Sequence, residues 1–208
     1  MSDGVKKTIA IVVVAVIVFI AYYGSYLPYQ KSKAHISAVT SLKGSFSVGE
    51  FKDTFSKALD LSSPIGQPEL VRQLGSMSNS LVSQVGDNSA VIKELVDFVE
   101  SYYEPILGRN PGMSIGQDFY ILGSLNEQAF LYTGEVQYLN AAEKYFLLGQ
   151  EFGPKRPQPL YGLFDVYRAM GNVEKVTEVA NQILSQWPDD ERVKALYESF
   201  LNVKESSD

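Results

Sequence analysis

The sequence predicts an all-α protein with a single hydrophobic, transmembrane-type helix at the N-terminus, followed by a right-handed α-solenoid of helical hairpins. Three observations support this prediction. Residues 8–27 form an uncharged apolar run. Several later segments repeat apolar residues at helical spacing, with glycine or proline between them. The clearest of these segments, residues 159–190, has a break at Gly171-Asn172 and a stop at Trp187-Pro188, which indicates two short paired helices.

The composition indicates a folded, acidic protein. Of the 208 residues, 45% are hydrophobic, which is enough for a substantial core, and the formal net charge is −6. An acidic surface repels nucleic-acid phosphates, so no nucleic-acid partner is expected. The chain has no cysteine, which excludes disulfides and thiolate metal sites.

The apolar run at residues 8–27, TIAIVVVAVIVFIAYYGSYL, predicts the first helix. As an α-helix it would span roughly 30 Å, the thickness of a bilayer hydrocarbon core. A cluster of tyrosines closes the run, as an interfacial aromatic belt would. We therefore assign residues 1–30 to a hydrophobic anchor or assembly helix. The residues expected to meet lipid or other helices include Ile9, Val13, Val16, Ile20 and Tyr23.

Three hypotheses account for this helix. It anchors the chain in a bilayer, it packs against copies of itself in a filament core as in pilins, or it is a cleaved signal peptide. The length of the run and the lack of a clear A-x-A site disfavour the third hypothesis. Lysines flank both ends of the helix, Lys6 and Lys7 before it and Lys31 and Lys33 after it, so charge does not decide its orientation. Pro28 is expected to kink or interrupt the helix.

Residues 31–203 are predicted to form four helical hairpins and a capping helix, followed by a tail at residues 204–208. In the first hairpin, residues 31–64, Gly44-Ser45 separates the two helices. Apolar residues then share one face of the second helix, which is expected to begin after Ser47.

The second hairpin, residues 68–111, begins at Pro68, a residue suited to the first turn of a helix. Asn88 or Ser89 is placed to cap its second helix. Pro105 is expected to disturb the last turn of that helix, and Asn110-Pro111-Gly112 to end it.

The third and fourth hairpins occupy residues 115–154 and 158–188. A capping helix at residues 190–203 follows, with Asp189 or Asp190 at its start. A repeat array needs such a terminal helix to cover its final apolar face.

The fourth hairpin agrees in spacing with the 34-residue tetratricopeptide repeat. With Tyr167 at repeat position 11, Leu163 falls at position 7, Gly171 at 15, Val176 at 20 and Pro188 at 32. The agreement lies in spacing and hydrophobic character more than in residue identity.

Longer blocks point to a particular family. Residues 58–74 (ALDLSSPIGQPELVRQL), RNPG at 109–112, residues 118–172 and the closing WPDDERVKAL occur in an order that resembles one type of tetratricopeptide tail. That tail follows the last transmembrane helix of some O-antigen ligase-like bacterial membrane proteins and lies outside the cytoplasmic membrane. The resemblance implies a tetratricopeptide fold and an external location. It does not imply ligase activity, because those proteins hold their glycosyl-transfer site in many membrane spans.

No catalytic chemistry is evident in the chain. It lacks the phosphate-binding, dinucleotide-binding, nucleophile-elbow and zinc-protease motifs, so neither enzyme activity nor a cofactor is predicted. His35 is the only histidine, and a lone histidine without cysteine does not form a standard zinc site. We interpret it as a surface or groove residue. Asp97, Glu100 and Glu104 share one helix stripe and are interpreted as a solvated face.

The functional surface of a tetratricopeptide array is its concave groove, which the first helix of each hairpin lines. The repeat positions that face the groove are occupied here by Gln117, Tyr120, Glu127, Gln158, Tyr161, Asp165 and Arg168, among others. In this hypothesis Tyr120 and Tyr161 are aromatic anchors for a partner, and Arg168 binds a carboxylate. In the alternative hypothesis both tyrosines only pack between helices.

These patterns predict a non-enzymatic interaction scaffold, anchored in the membrane and exposed in the periplasm or outside the cell, that docks protein partners. The alternative is a self-assembling subunit of a surface filament, with the apolar helices of many copies buried in its core.

Overall fold

A computed structural model describes residues 2–42, 46–108 and 114–205. These residues form helices and no β-strand, which confirms the all-α prediction and the long apolar N-terminal helix. In chain order the helices are α1 (Asp3–Ala21), α2 (Leu27–Ser41), α3 (Val48–Leu59), α4 (Gln67–Val85), α5 (Ser89–Leu107), α6 (Ile115–Thr133), α7 (Val136–Phe152), α8 (Pro157–Ala169), α9 (Val173–Gln186) and α10 (Glu191–Glu205). The stops predicted at Gly44-Ser45 and Asn110-Pro111-Gly112 lie outside the described residues.

The N-terminal helix is continuous through Pro28. A π-helical turn, Tyr22–Tyr26, joins α1 to α2, so that one helix of 39 residues extends from Asp3 to Ser41. In this wider turn the Leu27 N–H bonds to the Tyr22 carbonyl, five residues back. Pro28 lies in the interior of this helix, two residues after the π-helical turn, and such a turn accommodates the hydrogen bond that a proline cannot donate. The interruption expected at Pro28 is therefore not observed.

The chain divides into two compact units, one up to Leu74 and one from Gly75. In the first unit α2 contacts α3, and Phe51 and Phe55 are fully buried. A capping box starts α3: the Glu50 N–H donates to Ser47 Oγ at 3.2 Å, and the Ser47 N–H donates to the Glu50 carboxylate at 2.9 Å.

Lys31 fastens α2 to the end of α3. Its side chain is buried, with 4% of its surface exposed. The ammonium donates to the carbonyl oxygens of Leu59, at 3.2 Å, and Leu61, at 2.7 Å, and also to the side-chain oxygen of Gln67. Carbonyls at a helix C-terminus lack partners within the helix and carry partial negative charge, so a lysine is well suited to this position.

In the second unit, helices that follow one another in the chain lie against one another from α5 to α10, and α6 also contacts α8. The turns after α4, α6 and α8 contain Gly86, Gly134 and Gly171, each with φ between +67° and +74°. Glycine adopts this left-handed conformation without the steric cost that a Cβ atom imposes.

The capping predictions in this unit hold, whereas the expected disturbance of α5 does not. Asn88 caps α5, because the Val91 N–H donates to Asn88 Oδ1 at 3.3 Å. Asp190 caps α10, because the Val193 N–H donates to Asp190 Oδ1 at 3.0 Å. Helix α5 continues through Pro105 and ends at Leu107.

The core of the second unit includes one aromatic ring placed between two glycines. The ring of Phe146, on α7, is fully buried. A Cβ atom at Gly123 on α6 or at Gly162 on α8 would lie 2.5 Å from this ring. The two glycines therefore allow α6 and α8 to pack closely against α7. The remaining core residues around it include Leu139, Ala142, Leu160, Leu163, Phe164, Val176, Ala180 and Ile183.

Candidate functional site

Helices α6 and α8 carry the seven residues that the sequence places in a groove. The structure places six of these residues in two cavities and the seventh, Tyr161, against the loop between α9 and α10. We call the cavities the Tyr120 cavity and the Glu127 cavity, after a predicted residue in each.

The Tyr120 cavity lies at the N-terminal ends of α6 and α8 and has a volume of 450 Å³. It brings together three of the predicted residues, Gln117, Tyr120 and Gln158. The Tyr120 ring is half-buried, and its centroid lies 6.1 Å from that of Phe146. The full lining is Gly116, Gln117, Tyr120, Arg156, Pro157, Gln158 and Pro159.

The chemistry of the Tyr120 cavity is that of a hydrogen-bonding surface. Its side chains include two amides, a phenol and the guanidinium of Arg156, placed beside the prolines of α8. Arg156 comes from the loop before α8, outside the groove positions of the repeat, so repeat spacing does not predict its place in the cavity.

The Glu127 cavity has a volume of 520 Å³ and is formed by α6, α7, α8 and α10. Its lining contains three more of the residues that were predicted to face the groove: Glu127, Asp165 and Arg168. Most of the remaining lining is apolar. The full lining is Glu127, Phe130, Leu131, Leu139, Asp165, Arg168, Ala169, Ser199, Phe200 and Val203.

Asp165 is the acceptor of two ion pairs at this cavity. It accepts from Arg168 at 2.9 Å and from Arg192 at 3.2 Å. The Arg168 guanidinium also lies over the Phe164 ring, 5.4 Å from its centroid. Arg168 is thus already paired within the chain, and a partner's carboxylate would compete with Asp165 for it.

Glu127 differs from Asp165 because it forms no hydrogen bond or ion pair with the residues that the structure describes. Burial raises the pKa of the Glu127 carboxyl to about 7; the Asp165 carboxylate adds to this shift, and Arg192 opposes it. A carboxyl group with this pKa is close to half ionised at neutral pH.

Tyr161 lines neither cavity. Its hydroxyl donates to the Asp190 carboxylate, its ring stacks on Trp187 with centroids 6.1 Å apart, and Arg192 lies 5.8 Å from its centroid. Burial, followed by the hydrogen bond to Asp190, raises the pKa of Tyr161 to about 12. The structure therefore places Tyr161 against the loop between α9 and α10, away from the cavity that Tyr120 lines.

The predicted residues of the N-terminal helix are uncovered. The exposed fraction of these residues ranges from 46% at Tyr23 to 61% at Ile20, and the set comprises Ile9, Val13, Val16, Ile20 and Tyr23. No residue of α1 is buried by the chain. By length and composition, the helix from Asp3 to Ser41 is the one in the described ranges that could cross a membrane. Exposure of such an apolar surface to water is unfavourable.

The carboxylate stripe on α5 is only partly a solvated face. Asp97 pairs with Lys93 at 2.6 Å on the surface, and Glu104 is exposed. Glu100, however, accepts from Asn126 Nδ2 at 3.1 Å and from the Tyr145 hydroxyl at 3.2 Å, which ties α5 to α6 and α7. The interpretation of Glu100 as a solvated residue was wrong, because periodicity along α5 does not show which polar groups other helices bring to it.

His35 lies half-buried in a cavity of 310 Å³ in the first unit, together with Lys31, Ser32 and Glu69. Within residues 2–42, 46–108 and 114–205, no group of three or more His, Cys, Asp or Glu side chains is arranged to hold a metal ion.

The contribution of α10 to the Glu127 cavity was likewise not predicted from the sequence. Phe200 was assigned to a helix that only covers the end of the array, yet it lines this cavity together with Ser199 and Val203. The available signal was Val203, three residues after Phe200, which extends the apolar spacing of α10 by one more turn.

No family model, curated protein or solved structure significantly matches this chain. The resemblance to a tetratricopeptide tail therefore stays a prediction from the sequence blocks.

Proposed function

We propose that this protein is a non-enzymatic interaction scaffold of the tetratricopeptide type. In this proposal the N-terminal helix anchors it in the cytoplasmic membrane, and a right-handed solenoid of helical hairpins docks protein partners outside that membrane. The observation that carries the proposal is the helix from Asp3 to Ser41, whose α1 segment is apolar and has no buried residue. Leaving that surface in water is unfavourable, so lipid is its natural surrounding.

The arrangement of the second unit supports the repeat part of the proposal. From α5 to α10 its helices contact one another in chain order, and a left-handed glycine separates the helices of two successive pairs, Gly134 between α6 and α7 and Gly171 between α8 and α9. Helical repeat proteins consist of such helix pairs packed side by side.

Two cavities on helices α6 and α8 support the docking part. Six of the seven predicted groove residues line one or the other, although those positions were chosen by repeat spacing alone. Both cavities are open to solvent and combine apolar surface with polar groups, as docking surfaces for protein segments do.

A filament subunit is the second candidate function. It is favoured by the continuous helical connection between the apolar helix α1 and the rest of the first unit. The helix continues from α1 into α2, and Lys31 fixes α2 to α3. In a fibre such a connection would transmit force from a core of packed apolar helices to the folded units around it.

Membrane extraction and electron microscopy distinguish the two candidates. The full chain with a C-terminal tag would be expressed in a bacterium, and its membranes washed with carbonate and then dissolved in mild detergent. The scaffold proposal expects a carbonate-resistant protein that detergent releases as small particles and that crosslinks to a second protein in intact cells. Fibres of the chain in sheared surface material would favour the filament. Recovery in the soluble fraction, as a monomer without a partner, would contradict both.

A further inference from the structure

The Glu127 cavity combines apolar walls with one carboxylate that has no partner. The other charged residues of its lining, Asp165 and Arg168, form an ion pair with each other, and Asp165 also pairs with Arg192 outside the lining. Glu127 alone has no hydrogen bond or ion pair within the described parts of the chain. The apolar walls come from four helices and comprise Phe130, Leu131, Leu139, Ala169, Phe200 and Val203.

An acidic group in this position is unfavourable unless something pairs with it. Glu127 is half-buried beside these apolar walls, and a carboxylate that is partly shielded from water and has no partner is less stable than one in open solvent. A hydrophobic residue at this position would pack against the same walls without that cost. A positively charged group on a partner protein would form an ion pair with the Glu127 carboxylate and so make this position a specific contact.

The net charge of the second unit favours binding of a positively charged group. Residues 75–208 contain ten basic and 19 acidic residues, a formal net charge of −9, whereas residues 1–74 contain eight basic and five acidic residues, a net charge of +3. A strongly acidic unit attracts basic segments over distances of about a Debye length and repels acidic ones.

We propose that the Glu127 cavity is a docking site for a lysine or arginine side chain carried between apolar residues on a segment of the partner protein. This inference rests on the proposed scaffold function and names the chemistry of the partner. The charged head of the side chain pairs with Glu127. Its methylene stem and the flanking apolar residues pack against the walls, including Phe130 and Phe200. At 520 Å³ the cavity is within the size range of sites that enclose small ligands.

The test uses the full chain in lipid nanodiscs and a fluorescent, acetylated and amidated peptide with one lysine between two leucines and Gly-Ser ends. Binding is followed by fluorescence anisotropy, with empty nanodiscs as the blank. Two matched peptides replace the lysine with norleucine or glutamate. We expect the lysine peptide to bind at least about tenfold more tightly than either, since only the lysine can form a charged hydrogen bond with Glu127.

Variants assign the binding to the cavity. Glu127→Gln should weaken binding of the lysine peptide about tenfold, whereas Glu151→Gln, the same change at an exposed acid outside the cavity, should leave it unchanged. Leu131→Ser, at a wall residue that is 63% exposed, should weaken binding without disturbing the core. Circular dichroism of each variant verifies that it is folded.

The pH dependence adds an independent readout. The groups that face Glu127 are Asp165 and Arg168 from α8 and Arg192 from α10. With the pKa of Glu127 at about 7, its ionised fraction rises from about one-tenth to about nine-tenths between pH 6 and pH 8. Binding of the lysine peptide should therefore strengthen up to about tenfold over this range, and that dependence should vanish in Glu127→Gln.

Equal binding by wild type and Glu127→Gln, equal binding of the lysine and norleucine peptides, or no binding of the lysine peptide would each overturn the inference. Concentration-dependent dimerisation that excludes the peptide would also overturn it and would assign the cavity to a second copy. If the Glu127→Gln variant still captures a partner in cells, this inference is wrong but the proposed scaffold function is not contradicted. If no partner is captured and the lysine peptide still binds as expected, the scaffold function fails and the site remains.

Discussion

The ring of Phe146 occupies the space that a Cβ atom at Gly162 would need, because an ideal Cβ built there lies 2.5 Å from Cζ of the ring. The same ring lies equally close to the Cβ position of Gly123. One side chain on α7 thus determines how closely α6 and α8 approach it, and these two helices carry both candidate cavities.

Gly162→Ala should destabilise the second unit by about 1–3 kcal/mol, because the added methyl would lie 2.5 Å from a fully buried ring and overpack the core. Thermal and urea unfolding of the full chain in detergent, followed by circular dichroism, would measure the loss. Gly49→Ala is the control: a Cβ there meets nothing closer than 3.9 Å, so this change should be neutral or stabilise slightly. A cost for Gly162→Ala that persists in full when Phe146 is also replaced by Leu would show that the ring is not the cause.

Glu127→Gln should make the protein more stable at pH 8. The folded-state pKa of Glu127 is raised from 4.5 to about 7, so its contribution to stability is fully present below pH 4.5 and is lost as the pH rises through 7. Removing the charge should increase the free energy of unfolding at pH 8 by up to about 3 kcal/mol and at pH 4 by much less. Denaturant titrations at both pH values give the difference, and Glu151→Gln is the control. Lower stability of Glu127→Gln at pH 8 would mean that the carboxylate is paired in solution.

Lys31→Met should loosen the junction between α2 and α3. The carbonyls of Leu59 and Leu61 and the side chain of Gln67 would lose their shared donor. Leaving such acceptors without a partner costs about 1–3 kcal/mol. Hydrogen exchange should become faster in the last turn of α3 and the first turn of α4. The matched change Lys33→Met, at an exposed position on the same helix, should leave exchange as it is, and equal acceleration in both variants would contradict this role of Lys31.

Val16→Lys should increase the fraction of the protein that carbonate washing releases from membranes. A lysine near the centre of a membrane-spanning helix costs about 2.5–3.5 kcal/mol on insertion scales. Ile36→Lys provides the control, because Ile36 is similarly exposed on the same continuous helix but lies beyond the apolar run. Membrane and soluble fractions would be compared by immunoblotting. Retention of both variants in the membrane fraction would argue that α1 does not span the bilayer.

Much of the local structure could be predicted from the sequence, because helix ends depend on nearby residues. Gly171 separates α8 from α9, and Asn88 and Asp190 cap the helices expected of them. These features depend on backbone preferences and on hydrogen bonds that span only a few residues.

The contacts that define the candidate site could not be predicted in the same way. Tyr161 occupies a groove position by spacing, yet Asp190, 29 residues later, binds its hydroxyl. Lys31 counted only as a flanking charge in the sequence, yet it is buried by carbonyls from the end of α3. Periodicity identifies the apolar face of a helix, but the polar partners arrive from distant segments that only the assembled fold brings near.

The helix runs unbroken through Pro28, and Lys31 holds the end of α3 against it. The number of residues between α1 and Lys31 therefore determines the direction in which α3 projects from the helix. Each residue inserted between Tyr26 and Lys31 would rotate α3 about the axis of α1 by about 100° and shift it by about 1.5 Å along that axis. Two added residues would point α3 in nearly the opposite direction, whereas seven would almost restore its bearing about 10 Å farther along. A change in the number of residues between Tyr26 and Lys31 would therefore change the side of the α1 axis on which α3 lies.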